Sequence, residues 1–189
     1  MGTALSSQEP ADLEAAGEEQ HQYLTFLLGK ETFAIGILGV KEIIEYGTLT
    51  AVPMMPSCVR GVINLRGRVV PVVDLSARFG RPLTEPGRRT CIVIVEVAAE
   101  GDHRDIGIVV DAVNQVIEIL PAEIEPAPTF GANLRGEFIQ GMGKVDGRFV
   151  IILEITRVLS IDEMAQLRSG QDSLTSAGGP AAPALQAVA

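Results

Sequence analysis

Val59-Arg60-Gly61-Val62-Ile63-Asn64-Leu65-Arg66-Gly67-Arg68-Val69-Val70-Pro71-Val72-Val73-Asp74-Leu75 is the stretch whose reading decides the fold. Two short β-branched runs flank one polar tip, Asn64-Leu65-Arg66-Gly67. Such residues pack well on a pleated surface, and a Gly at the tip supplies the positive φ of a tight hairpin. Arg66 and Arg68 cannot be buried without a partner. The stretch reads as a rigid hairpin that presents arginine, either to a neighbouring carboxylate or to another molecule.

Outward from the hairpin, the same β signals recur. Tyr23–Leu28 and Thr32–Gly36 read as a hairpin turning at Gly29-Lys30-Glu31. A short turn at Ile37-Leu38-Gly39 leads into a strand over Val40–Glu45, and a loop containing Pro53 and Pro56 follows. Leu75–Phe79 can form one helical turn stopped by Gly80. Thr90–Glu96 is a continuous apolar strand, Ala98 to Arg104 its turn, and residues 106–110 and Val113–Ile119 two further strands. Pro121 to Pro128 reads as a loop, and Gly141–Leu153 as a hairpin around Asp146-Gly147. Ser160 and Glu163 form a capping box, with Leu159, Met164 and Leu167 on one apolar side of a short C-terminal helix.

The two halves repeat each other. Ala34-Ile35, Val40, Glu42-Ile43-Ile44 and Pro53 precede Gly107-Ile108, Val113, Gln115-Val116-Ile117 and Pro126 by 73 positions. Gly61, Gly67-Arg68, Val70 and Asp74-Leu75 precede Gly141, Gly147-Arg148, Val150 and Glu154-Ile155 by 80. Each half carries about five short strands, enough for a small barrel without exposed edges. The expected fold is all-β: two five-stranded barrels and a short C-terminal helix. The ordered unit is expected over 21–169, with barrel subdomains near 21–80 and 90–157 and strand exchange between them allowed. Residues 1–20 read as a lead lacking apolar periodicity, and 170–189 as a Gly/Ser/Ala/Pro tail.

The 189 residues carry a formal net charge of -9, which argues against a nucleic-acid or anionic-membrane surface as main partner. No apolar run approaches the roughly 20 residues that span a bilayer. Met1–Gln20 lacks the basic and apolar regions of a secretory signal, and Cys58 and Cys91 form no Cys-x-x-Cys pair. A cytoplasmic protein with reduced thiols is the expectation.

Enzyme motifs are scarce, and neither metal nor cofactor is called for. His21 and His103 are far apart without ligand-like spacing. Gly141-x-Gly143-Lys144 fails as a phosphate loop, because Phe138 and Val145 stand where Gly and Ser or Thr are required. Asp74 and Glu154 occupy equivalent positions and read as caps of the turns that follow. Asp105 and Asp111 are expected to stay solvated. Arg66 and Glu42 carry more weight: either an ion pair braces the hairpin against Val40–Glu45, or Arg66 uses its planar fork of donors on a partner. The counterpart of Arg66 in the second half is Asp146, so the tips have diverged in charge.

With these residues in place, the chain resembles the CheW family of chemotaxis coupling proteins. The resemblance rests on Gly61–Gly67, Val70–Leu75, Phe33-x-Ile35 with Val40-x-Glu42-Ile43, Gly107–Val113 and Ile124-x-Pro126-x-Pro128, across about residues 22–168. It implies two intertwined SH3-like barrels in a non-enzymatic scaffold. Family members bridge the cytoplasmic tips of methyl-accepting chemoreceptors to the regulatory domain of the histidine kinase CheA. A protein of this kind meets membranes only indirectly, through receptor arrays. Receptor-linked positions of the family map onto Val40, Glu42 and Arg66. Its kinase contacts use apolar surface on the first barrel, here Ile43 and Val62.

Three readings follow. The first is the adaptor, serving flagellar chemotaxis or a chemotaxis-like pathway with another output, such as surface motility. The second is a detached relative of the kinase's own regulatory domain. The third, from another class, is a small hydrolase using Asp74, Asp111 or Glu154.

Overall fold

The computed structural model describes residues 21–99, 102–127 and 136–160. The N-terminal lead, the capping-box helix from 161 onward and the tail lie outside the described residues. In chain order the strands are β1 (Gln22–Leu28), β2 (Glu31–Gly36), β3 (Val40–Glu45), β4 (Val59–Leu65), β5 (Arg68–Asp74), β6 (Cys91–Ala99), β7 (Asp102–Val110), β8 (Ala112–Glu118), β9 (Ile124–Glu125), β10 (Ile139–Val145) and β11 (Arg148–Leu153). Helix α1 (Leu75–Arg78) follows β5, and α2 (Ile155–Val158) follows β11. A single 3-10 turn, Ile37–Gly39, links β2 to β3 as the sequence indicates.

The strands assemble into two sheets that exchange halves of the repeat. One runs β3-β6-β7-β5-β4 and forms the first barrel; the other runs β8-β1-β2-β11-β10-β9 and forms the second. The first barrel therefore takes three strands from the first half and the β6–β7 hairpin from the second. The second barrel takes the β1–β2 hairpin from the first half and four strands from the second. The contiguous ranges 21–80 and 90–157 do not correspond to the two barrels. The exchange is sealed by parallel pairing of β5 with β7, at Val72↔Gly107, and of β11 with β2, at Ile151↔Phe33.

Three apolar cores result among the described residues. Val70, Val72, Ile92, Ile94 and Val109 fill the first barrel, and Tyr23, Ala34, Ile119, Val150 and Ile152 the second. The largest cluster lies between them and includes Leu24, Phe26, Phe33, Val93, Val95, Ile108 and Leu153. Alternation along each strand places odd and even residues in different cores, so one hydrophobic run serves both a barrel interior and the shared interface. Four of the chain's six phenylalanines form a row through the shared core. Ring centroids lie 6.2 Å apart for Phe26–Phe33, 5.9 Å for Phe33–Phe79 and 6.3 Å for Phe79–Phe138. Buried Arg78 donates from Nε to the Val158 carbonyl at 2.8 Å, tying α1 to α2.

Two local readings of the sequence are corrected. The Ala98–Arg104 turn is strand: the β6–β7 ladder continues through Ala98↔His103 to Ala99↔Asp102. Polar side chains on this ladder conceal a hairpin that backbone bonds alone can extend. The Pro121–Pro128 region holds a 3-10 turn, Pro121–Glu123, followed by β9, which pairs with β10 at Met142↔Glu125. Its counterpart in the first barrel is Thr50, which exchanges both backbone hydrogen bonds with Val62 at 2.9 Å. In both barrels the chain leaving the third strand of the repeat thus returns to the edge of the Gly-led hairpin.

Candidate functional site

The opening hairpin is β4–β5, closed by the pair Leu65↔Arg68. Its two turn residues both have positive φ, Arg66 at 50° and Gly67 at 83°. This is the sign pattern of the type I′ turn that matches the twist of a two-residue hairpin. Asn64 Oδ1 accepts the Gly67 N–H at 2.8 Å and fixes the tip. The second hairpin repeats the geometry with Asp146 at 49° and Gly147 at 76°. Glycine, asparagine or aspartate is favoured at the first of these positions, whereas an arginine there is strained.

The tip overhangs the mouth of the first barrel, a groove lined by Lys41, Glu42, Leu65, Arg66, Arg68, Ile94 and Asp105. Arg66 Nη2 donates to Glu42 Oε2 at 2.9 Å, so the ion pair anticipated from the sequence is formed. Arg66 remains 80% exposed. The Glu42 bond engages one terminal nitrogen of a guanidinium that carries five N–H donors, leaving a solvent-facing fork.

Beside this pair runs a second set of charges. Arg68 Nη1 meets Asp105 Oδ2 at 2.8 Å, and Lys41 Nζ meets Asp105 Oδ1 at 2.9 Å and Glu96 Oε1 at 2.6 Å. Asp105, expected to be solvated, has a side chain only 7% exposed and is held between two cations. Hydrogen bonds to Glu96 and then Asp105 raise the Lys41 pKa above the ordinary lysine value. A β-bulge between Val40 and Glu42 explains the placement of these side chains. It lets Val40 pack against the shared core while Ile44 faces the interior of the first barrel and Glu42 lines its mouth.

The structure thus brings Glu42 and Arg66 together and puts Val40 in the same strand, half-buried at the junction of the barrels. Ile43 is exposed on the opposite face of β3, paired with Val93, and Val62 is half-buried on β4, paired with Pro71. A more apolar groove lies elsewhere on the first barrel, lined by Met55, Val59, Val69, Val70, Pro71 and Ile106 together with Arg68, His103, Arg104 and Asp105. Met55 and Val69 are exposed there, and the preceding residue, Met54, is exposed with a φ of 60°. The sequence reading gave Val69 only as a strand residue and passed over Met54 and Met55. Two consecutive methionines between prolines were the available signal.

Two of the three carboxylates weighed for hydrolysis, Asp74 and Asp111, are engaged in structural hydrogen bonds. Asp74 is wholly buried and caps α1 by accepting the Ala77 N–H at 3.3 Å. It also accepts the Thr84 N–H at 2.8 Å and the Thr84 hydroxyl at 3.1 Å, with Arg60 3.8 Å away. Glu154 occupies the equivalent position before α2 but makes no side-chain cap bond. Asp111, expected to be solvated, is half-buried and accepts the Gly29 N–H, holding the β1–β2 turn.

Comparison with known proteins places this geometry. The family model described as the CheW-like domain matches residues 22–163. Chemotaxis protein CheW of Klebsiella aerogenes is 36% identical over 152 residues, covering 80% of this chain and 87% of the relative. The protein of the same name from Rhizobium meliloti is 33% identical over 142 residues, covering 75% and 89%. Protein FrzA of Myxococcus xanthus is 29% identical over 135 residues, covering 71% and 81%. Among solved structures, the scaffolding protein TtCheW from Thermoanaerobacter tengcongensis superposes with a TM-score of 0.68 at 29% identity, covering 85% of this chain and 96% of that one.

Proposed function

The chain belongs to the CheW family, and on that premise we propose that it is a non-enzymatic scaffold coupling chemoreceptor tips to the regulatory domain of the histidine kinase CheA. The observation that carries the reading is Arg66: a strained, exposed guanidinium oriented by Glu42 over a charged groove. Local stability gives no reason for arginine at that backbone position, so a partner is the simplest cause. In this reading Val40, Glu42 and Arg66 form the receptor-facing surface. The kinase domain takes the apolar surface of the first barrel, with Ile43 and Val62 as contacts and the Met55–Val69 groove beside them. Coupling follows when receptor state changes which contacts are available and the scaffold passes that bias on. The protein works in the cytoplasm and is recruited to receptor arrays. No helix among the described residues is long and apolar enough to cross a membrane.

The test is binding to an isolated receptor tip and, separately, to the kinase regulatory domain. Arg66→Ala should weaken receptor binding by about tenfold or more, the loss typical of a central arginine contact, and leave the kinase domain bound. Failure of the folded wild-type chain to bind either probe would sink the proposal. The FrzA likeness favours one variant of the same reading, a coupling protein whose kinase serves an output other than flagellar chemotaxis. Deleting the gene and scoring swimming against surface spreading separates the two.

A further inference from the structure

The second barrel has a mouth of its own, and it stands at the repeat-equivalent place. The hairpin tip Val145-Asp146-Gly147-Arg148 overhangs a groove formed with Thr25, Thr32, Asn114 and Gln115. Asn114 and Gln115 lie 73 positions after Lys41 and Glu42, as Asp105 lies after Thr32. Asp146 and Arg148 lie 80 positions after Arg66 and Arg68. The backbone frame is therefore shared, while the chemistry is not.

In the first mouth five charged side chains engage one another: Arg66 with Glu42, and Arg68 and Lys41 with Asp105. In the second, only Asp146 and Arg148 are charged, and among the described residues neither forms an ion pair. Set beside apolar Ile117, Val145 and Val150, the other polar positions are amides and hydroxyls. Of these, Thr25 is committed, donating to the Gln115 carbonyl at 2.7 Å across a β-bulge. No hydrogen bond is made by the side chains of Thr32, Asn114 or Gln115 among the described residues. Both ends of the donor and acceptor range are thus open to a ligand, with no internal ion pair to break.

We propose that the second mouth is a separate docking site for a protein segment that sets a lysine or arginine against Asp146 among uncharged amide and hydroxyl side chains. Arg148 offers a matching contact to a carboxylate or main-chain carbonyl of that segment. A ligand that brings an acid to Arg66 in the first mouth would meet Asp146 in the second, and like charge rejects it. The two mouths therefore select different partners from one frame. This site stands apart from the Arg66 surface, so either can fail without the other.

A displayed library of random peptides, about a dozen residues long, panned on the full chain tests it. Enriched peptides, synthesised and followed by fluorescence polarisation, should carry a base among Asn, Gln, Ser and Thr. Asp146→Lys should weaken them by about tenfold or more while Arg66→Ala changes them less than about twofold. Lysine is sterically acceptable at 146, since Arg66 occupies the same backbone conformation in the first hairpin. Asn114→Lys with Gln115→Glu, which rebuilds charges of the first mouth, should also reduce binding. An absence of enriched peptides overturns the proposal. So do enriched acidic peptides, indifference to Asp146→Lys, or loss on Arg66→Ala.

Discussion

Arg66 holds a backbone conformation that disfavours arginine, and the exposed bond to Glu42 returns about 0–1 kcal/mol. Arg66→Asn should therefore fold with unchanged or slightly higher stability, because asparagine accepts positive φ more readily. Thermal unfolding of the variant checks this, and a large loss would make Arg66 a structural residue. Asp74 is the opposite case. Asp74→Asn removes charge from a buried carboxylate that accepts three hydrogen bonds beside Arg60, and should cost about 2–4 kcal/mol by urea unfolding. At this scale the sequence singled out residues without always deciding their roles. The ion pair of Glu42 with Arg66 was one of two alternatives, and the cap read at both Asp74 and Glu154 forms only at Asp74. The role of Asp105 could not be read: its neighbours His103 and Arg104 look like a turn, and only the folded register brings Lys41 and Arg68 to it.

The two Gly-led hairpins depend on their first glycines for the same reason. A Cβ on Gly61 would lie closer than 3.0 Å to the Thr50 carbonyl, and one on Gly141 would meet the Glu125 carbonyl at 2.9 Å. Gly61 also has a φ of 142°. Gly61→Ala should cost about 2–4 kcal/mol, against at most about 1 kcal/mol for Gly36→Ala, which has open space and no positive φ. Chemical denaturation of the pair measures the difference. The repeat marked both glycines in the sequence, but their cause was hidden, because Thr50 and β9 return to the hairpins through long-range pairing. On the same hairpin, Val69 is exposed beside Met55. Val69→Glu should leave stability within about 0.5 kcal/mol yet weaken the kinase domain by about tenfold, read by titration calorimetry. Equal affinity would move the kinase contact elsewhere on the first barrel.

Across the whole molecule, strand exchange makes the halves interdependent. Alternation and turn residues revealed each strand, but they act within one hairpin and do not say which sheet it joins. That choice is made by the shared core, where Phe33 from the first half stacks on Phe26 and Phe79, and Phe79 reaches Phe138 of the second. Residues 1–89 and 90–189 produced separately should lack cooperative unfolding, and should regain it when mixed. Protonation acts globally too. Burial raises the Cys58 and Tyr23 pKa values, and hydrogen bonds to Glu96 and Asp105 raise that of Lys41. Each group binds its proton more tightly when folded. Their contribution is complete below the ordinary thiol value of 9.0 and is lost as pH rises through the raised values. Urea midpoints should therefore stay level below about pH 9 and fall as pH rises above it. The central claim is that two partners meet on one scaffold through separate surfaces. With the receptor tip immobilised, the kinase regulatory domain should be retained when this chain is present and released when Arg66→Ala replaces it. Retention without the chain, or equal retention by Arg66→Ala, would contradict it.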